Sequence, residues 1–330
     1  MKKSLAILWI LSLLVGLAII GCQKSDTTGP ESNQAPTGVS NEQSAMKYFA
    51  ETDEFVNNDE AAFADNSIAP TDYDESYSMP EGDITPLRWG RFITSVTRTV
   101  TVTTQPGDTI AVARIDRTII GVLKIKALSS TGDTTMITKD FQDKSAKNVV
   151  FRRMARDAKR YWLNWVPVAT SLVTGETDPP PANAEINITK LELSAGDATV
   201  TVTDPLKTWL RYRWLKMFNG GTADVPELTP GTMVTIKVTV QSQSPDSDMV
   251  ALRNGFGFGA GHFKRARMTM TSESGPDADG FYTRTYEKQM PVRIYPGHFH
   301  FGIDAVTRAT LFDDAAPYSV SWWGVPYRVF

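Results

Sequence analysis

From Val234 to Gln241 the chain alternates without a fault, with Val234, Ile236, Val238 and Val240 on one side and Thr235, Lys237, Thr239 and Gln241 on the other. A period of two is the signature of a strand with one buried face. The same period governs the stretch from Leu87: Phe92, Val96, Val100 and Val102 share one face, and Ser95, Thr97, Thr99, Thr101 and Thr103 line the other. After a turn at 105–108, Ala111, Ala113, Ile115, Ile119, Leu123 and Ile125 continue the apolar face, interrupted by Arg117 and Gly121. A second turn at 130–133 leads to shorter strands expected near 134–140, 148–154 and 161–173. The fold is therefore expected to be mainly β and antiparallel.

One segment departs from this period. Met46, Phe49, Ala50, Val56 and Phe63 fall at helical spacing with Asn41 as N-cap, which predicts a helix over 42–64. Residues 65–86 carry Pro70, Pro80 and Pro86 among acids and read as an extended connection. A helix followed by a long-stranded antiparallel meander resembles the cystatin-like or NTF2-like arrangement, a curved sheet wrapped on a helix, over residues 42–175. The run Asp178-Pro179-Pro180-Pro181 marks a linker at 176–181. Beyond it, seven short strands predict a sandwich over 182–330. Within it, 296–305 resembles the penultimate strand of immunoglobulin-like modules, with Phe299 where many of them carry a tyrosine. The expected architecture is thus a helix-plus-antiparallel-sheet α+β domain followed by an immunoglobulin-like β-sandwich.

At the amino terminus Lys2 and Lys3 precede an apolar run from Leu5 to Ile20, which closes on Gly21 and Cys22. This resembles the lipobox of bacterial lipoproteins. The resemblance implies a signal peptide over 1–21, cleavage before Cys22, and acylation of that residue. Cys22 is the only cysteine among 330 residues, and an uncleaved membrane helix leaves that placement to chance. Residues 22–41, rich in Ser, Thr, Gly, Pro, Asn and Gln, read as a flexible tether. The expected location is the cell envelope, with the chain lipid-anchored at a membrane surface and no disulfides.

Charge is divided along the chain. Residues 23–85 hold 14 acids and 2 lysines, whereas residues 86–330 hold 23 acids and 30 lysines or arginines. An acidic leader therefore precedes a basic body. Either the leader is a solvated tether, or the body faces an anionic partner such as a glycan, lipid headgroups or an envelope protein. Export makes nucleic acid a poor partner.

Chemistry is sparse. No GxSxG, HExxH, CxxC or phosphate-loop pattern occurs, and the glycine-rich run 255–261 leads into a strand where a phosphate loop would lead into a helix. His298, His300 and Asp304 share one strand face and form the one metal-like constellation, although exposed histidines are the simpler expectation and no cofactor is expected. They carry the alternative of a metal-dependent envelope enzyme. Two cation-rich aromatic stretches suggest binding. In 148–165, Arg152, Arg153, Arg156, Lys159 and Arg160 adjoin Trp162 and Trp165; strands about a turn near Asp157 are expected there, with a helix as the alternative. In 206–218, Trp209, Arg211, Tyr212, Arg213 and Trp214 interleave cations with rings, forming either a ligand platform or packing for the sandwich. The function expected overall is that of a binding or assembly module, its ligand an anionic envelope polymer.

Overall fold

The computed structural model describes residues 35–53, 56, 57, 63, 69, 70, 84–129, 131–157, 159–196, 198–211, 227–255 and 263–329. Among the described residues the protein is mainly β, built as two sheets, antiparallel except where the two-residue strand β10 (Glu227–Leu228) pairs in parallel with Arg328 and Val329, with a helix at 42–52 laid against the larger sheet and a single short turn of helix at 308–312.

Three strands of unusual length dominate the first half: β2 (Ile84–Thr104), β3 (Ile110–Ser129) and β4 (Thr134–Arg153). Each spans roughly 65–70 Å at about 3.3 Å per residue. Two strands had been expected over 134–154. A single one forms because Lys139, Phe141, Asp143, Ser145 and Lys147 all keep the inward alternation. Tyr161–Leu163 forms a 3-10 turn rather than the start of a strand; the chain then resumes as β5 (Trp165–Ser171) and β6 (Val173–Thr177). The segment 148–165 is accordingly strand, loop and strand, with Asp157 accepting from the backbone amides of Lys159 and Arg160 in the loop.

β4 has two neighbours on one edge. Its end from Val149 pairs with β5, and its middle, Asp143 to Ala146, pairs with β6. On its other side β6 pairs with β17 (Val320–Val329), which continues through β16 (Gly297–Val306) and β12 (Met249–Gly255) to β13 (Phe263–Arg267). One sheet therefore runs through both halves of the chain, across the proline-rich segment at 176–181. It curls until its ends meet: Arg265 on β13 donates to the carbonyl of Trp89 on β2 at 3.2 Å and lies 3.4 Å over the Trp89 ring.

The second sheet contains β7 (Ile186–Ala195), β8 (Ala198–Val202), β11 (Met233–Ser242), β14 (Thr269–Ser274) and β15 (Tyr282–Pro291). Its apolar face, with Val234, Ile236, Val238 and Val240, closes a sandwich on the odd-numbered side chains of β16 and β17, among them Phe301, Ile303, Trp323 and Val325. The even-numbered side chains of β16 and β17 face the trough of the curl, so all ten residues of β17 are buried.

Helix α1 (Glu42–Thr52) starts where the sequence placed it, in a reciprocal box: Ser44 N donates to Asn41 Oδ1 and Asn41 N donates to Ser44 Oγ. The predicted run to residue 64 is interrupted, because Asp53 is extended and its carboxylate accepts from Val56 N, while the Asn57 amide donates to the carbonyls of Ala50, Glu51 and Asp53. Met46 and Ala50 pack on Ala111, Ala113, Ile115, Val149 and Phe151. Glu42 fixes the helix sideways: it accepts from Asn164 and Trp165 at 2.7 Å each and pairs with Arg153. Burial raises the Glu42 carboxyl, but the hydrogen bonds from Trp165 and Asn164 and the charge of Arg153 bring it below the ordinary value. Arg153 also pairs with Asp108 and lies over Trp165, so this member of the basic stretch is a structural tie.

Candidate functional site

Inside the curled sheet the inward alternation places polar groups in rows across the strands. One row runs Arg117, Ser145, Gly175, Trp322, Asp304 from β3 to β16. The adjoining one contains Lys147, Gly302 and Arg253, with Gly302 directly paired to Arg253. The glycines make room for rings. A Cβ on Gly175 would stand 2.1 Å from the Trp322 indole, and one on Gly121 would stand 2.5 Å from Phe141, so each ring lies flat on a bare strand.

Phe63 enters between these rings, 4.6 Å from Trp322 and 6.1 Å from Phe141 between centroids. Arg91 from β2 stacks over Phe63 at 3.8 Å. Its guanidinium meets Asp304 at 2.5 Å, and Arg253 approaches the same carboxylate at 3.5 Å while donating to the Phe63 carbonyl at 2.5 Å. Further along, Lys147 donates to the Val56 carbonyl at 3.1 Å, and Arg117 donates to the Asn57 side chain at 3.1 Å. Residues 56, 57 and 63 thus lie over a trough whose cations come from β2, β3, β4 and β12.

Two aspartates in the trough titrate in opposite senses. Burial raises Asp304, but Arg91 and Arg253 more than offset this and hold it below the usual carboxylate range. Asp143 is pushed up to about 7 by burial, against the opposing charge of Arg91 and a hydrogen bond from the Tyr318 hydroxyl at 3.2 Å.

The trio weighed as the alternative metal site, His298, His300 and Asp304, does share one face of β16, yet it does not converge. Four residues along a strand separate His300 from Asp304 by about 13 Å, too far for one ion bound at roughly 2 Å, and Asp304 is held by two arginines. His300 is buried, which corrects the expectation of exposed histidines: β17 and the curl cover that face. Burial, Arg328 and then His300 lower the titration of His298, which pairs with Arg328 across the strands. Among the described residues no three His, Cys, Asp or Glu side chains could hold a metal together.

Of the aromatic platform, Trp209 and Arg211 belong to a short strand, β9 (Trp209–Arg211), paired with β5. Leu210 is buried in the sandwich core, and Trp209 and Arg211 are half-buried on the other side. Tyr212, Arg213 and Trp214 lie outside the described residues, as do Cys22 and the glycine-rich run beyond Gly255. A depression of about 330 Å³ also opens on the outer face of β2, β3, β4 and β6, lined by Thr97, Thr99, Arg114, Asp116, Lys144 and Glu176. Its charges pair locally, Arg114 with Asp116 at 2.8 Å and Lys144 with Glu176 at 3.1 Å.

The trough was missed in the sequence because its members looked like faults. Arg117, Gly121, Asp143 and Lys147 break apolar strand faces, and regular interruption at inward positions of long strands was the available signal. Compared with protein-family models, curated proteins and solved structures, the chain matches none.

Proposed function

We propose that the protein is a lipid-anchored cell-envelope protein, attached through Cys22, that acts as an assembly module through its cation-lined trough. The observation that carries this reading is where the positive charge sits. Nine lysines and arginines are buried among the described residues, against three aspartates, Asp143, Asp248 and Asp304. Apart from that buried set, cations and acids are nearly equal in number in the described part of residues 86–330. A near-balanced surface gives little long-range pull on a polyanion. Buried cations need close partners, and the residues lying over Arg91, Arg117, Lys147 and Arg253 come from the acidic leader. This favours protein assembly over capture of an anionic polymer, and it leaves the metal-enzyme alternative without Asp304.

Sedimentation of the full chain carrying Cys22→Ser tests the reading. Self-association that grows with protein concentration is the expected result. A single monomeric species at all concentrations, together with salt-sensitive pelleting on isolated cell-wall polymer, would transfer the function to polymer capture. In cells, a fatty-acid label is expected on the wild type and absent from Cys22→Ser; label on both overturns the anchor.

A further inference from the structure

The strand β2 is guarded at its start and open along the rest of its outer edge. β3 covers one side of it throughout. On the other side β1 (Ala69–Pro70) pairs with Trp89 and Arg88, and Arg265 closes the curl on the Trp89 carbonyl. Pro86 and two register shifts against β3, at 86–88 and 93–95, fall in this first part, and prolines and bulges are the usual protection of a sheet edge. From Ser95 to Thr104 these devices cease. The strand runs against β3 without a shift, and among the described residues no strand pairs with its other side. Thr97, Arg98 and Thr99 are exposed in succession, so both faces are open there.

The composition of this stretch favours pairing. Apart from Ser95 and Arg98, residues 95–104 are all valine or threonine, with no proline, glycine or acid. An edge of this kind pairs readily with another strand. The other strands that end the two sheets are short, five residues in β8 and β13 and six in β14, and shortness is itself a protection.

Residues 95–103 also complement themselves. About a two-fold axis at Thr99, an antiparallel copy sets Ser95 opposite Thr103, Val96 opposite Val102, Thr97 opposite Thr101 and Thr99 opposite itself. Hydroxyls then meet hydroxyls on the outer face, and the half-buried Val96 and Val102 cover one another on the inner face. Only Arg98 meets an unlike residue, Val100. An axis at Arg98 would set two guanidinium groups directly opposite, which is unfavourable. An axis at Val100 would set Val96 against Thr104 and Val102 against Arg98. The register at Thr99 adds about eight to ten backbone hydrogen bonds between the copies.

We propose that two copies of this chain dimerise by antiparallel pairing of β2 with β2 about Thr99, so that one sheet runs through both. The proposal rests on the assembly reading above for the fact of self-association, and it moves the contact from the trough to the outer edge of the sheet.

The test uses the full chain carrying Cys22→Ser, which removes its only cysteine. Adding Thr99→Cys places two thiols about 4.5–5.5 Å apart between Cα atoms in this register, within the span of a disulfide. Under mild oxidation this variant is expected to cross-link at least about tenfold faster than Thr103→Cys, whose two copies stand about 26 Å apart. A mixture of Thr97→Cys and Thr101→Cys is expected to join unlike chains in preference to like ones. Thr97→Lys with Thr101→Lys sets lysine opposite lysine on an exposed face and is expected to weaken the dimer about tenfold in sedimentation, with circular dichroism unchanged. Equal cross-linking at Thr99 and Thr103, or none at Thr99, overturns the proposal. Self-association that the lysine pair leaves unaltered overturns it too, while keeping the assembly reading and returning the contact to the trough. If the lysine variant does not fold, the cysteine variants decide.

Discussion

Arg91 and Asp304 meet at 2.5 Å with both side chains buried, although 213 residues separate them in the chain. One lies on the first long strand and the other on β16, so the pair ties two facing parts of the curled sheet across its interior. Asp304 also faces Arg253, and its removal leaves two guanidinium groups without their shared carboxylate.

Asp304→Leu should therefore cost about 3–5 kcal/mol, as expected when one partner of a buried pair is removed. Adding Arg91→Met to that variant should recover part of the loss, because burying an uncompensated charge costs more than burying neither. Urea unfolding of the single and double variants measures both quantities. Equal stability of the two would mean that Arg91 is compensated elsewhere.

Gly175→Ala tests the seat of Trp322. The added methyl would fall 2.1 Å from the indole, which has Phe63 on its other side. A loss of about 1–3 kcal/mol is expected, the usual range for overpacking. Trp322→Leu should make the alanine nearly neutral in the double variant. Gly132, with open space around its Cβ position and φ of 85°, should suffer only from its backbone conformation.

Asp143 gives the stability a pH slope. Its folded-state titration is raised to about 7 from the ordinary 3.8. Between those values the folded chain keeps a proton that the unfolded chain has lost, so its contribution is fully present below about pH 4 and is lost as pH rises to 7. Relative to wild type, Asp143→Asn should gain stability steadily over that window, by an amount on the order of 4 kcal/mol at most. Chemical denaturation at pH 4.5, 6 and 7.5 checks it; parallel curves for the two proteins would show that Asp143 is not the titrating group. Asp304 acts with the opposite sign, since its lowered titration adds stability at neutral pH that is lost on acidification.

Elemental analysis of the purified full chain should find no stoichiometric zinc, and His300→Ala should leave the metal content unchanged. The arginines around Asp304 oppose a cation there. About one equivalent of zinc, lost on that substitution, would return the metal reading.

Strand faces were legible where burial is one-sided: Val234 to Gln241 alternates as the sequence did, and Ala111 to Ile125 does so even through Arg117 and Gly121. The start of α1 was legible from Asn41, because a cap is a local device. Its end was not, since Asn57 stops the helix by reaching back to three carbonyls. Sheet continuity was also hidden. Val173 to Thr177 pairs with Ser145 on one side and with Trp322 and its neighbours on the other, and nothing local in that stretch announces a partner some 150 residues away. The inward charges read as faults in apolar faces because their partners lie on remote strands. Asp304 was noticed for its spacing from His300, whereas its chemistry is set by Arg91.

β17 sits in the middle of the large sheet, between β6 and β16, yet it is translated long after β6. A chain emerging from the ribosome would therefore carry the free edges of β6 and β16 until residues 320–329 follow, and bare strand edges recruit other strands. Completion of the large sheet waits on β17, so folding should be slow and prone to aggregation until that strand arrives. A ribosome stalled before Val320 would release a fragment prone to aggregate rather than a smaller working version.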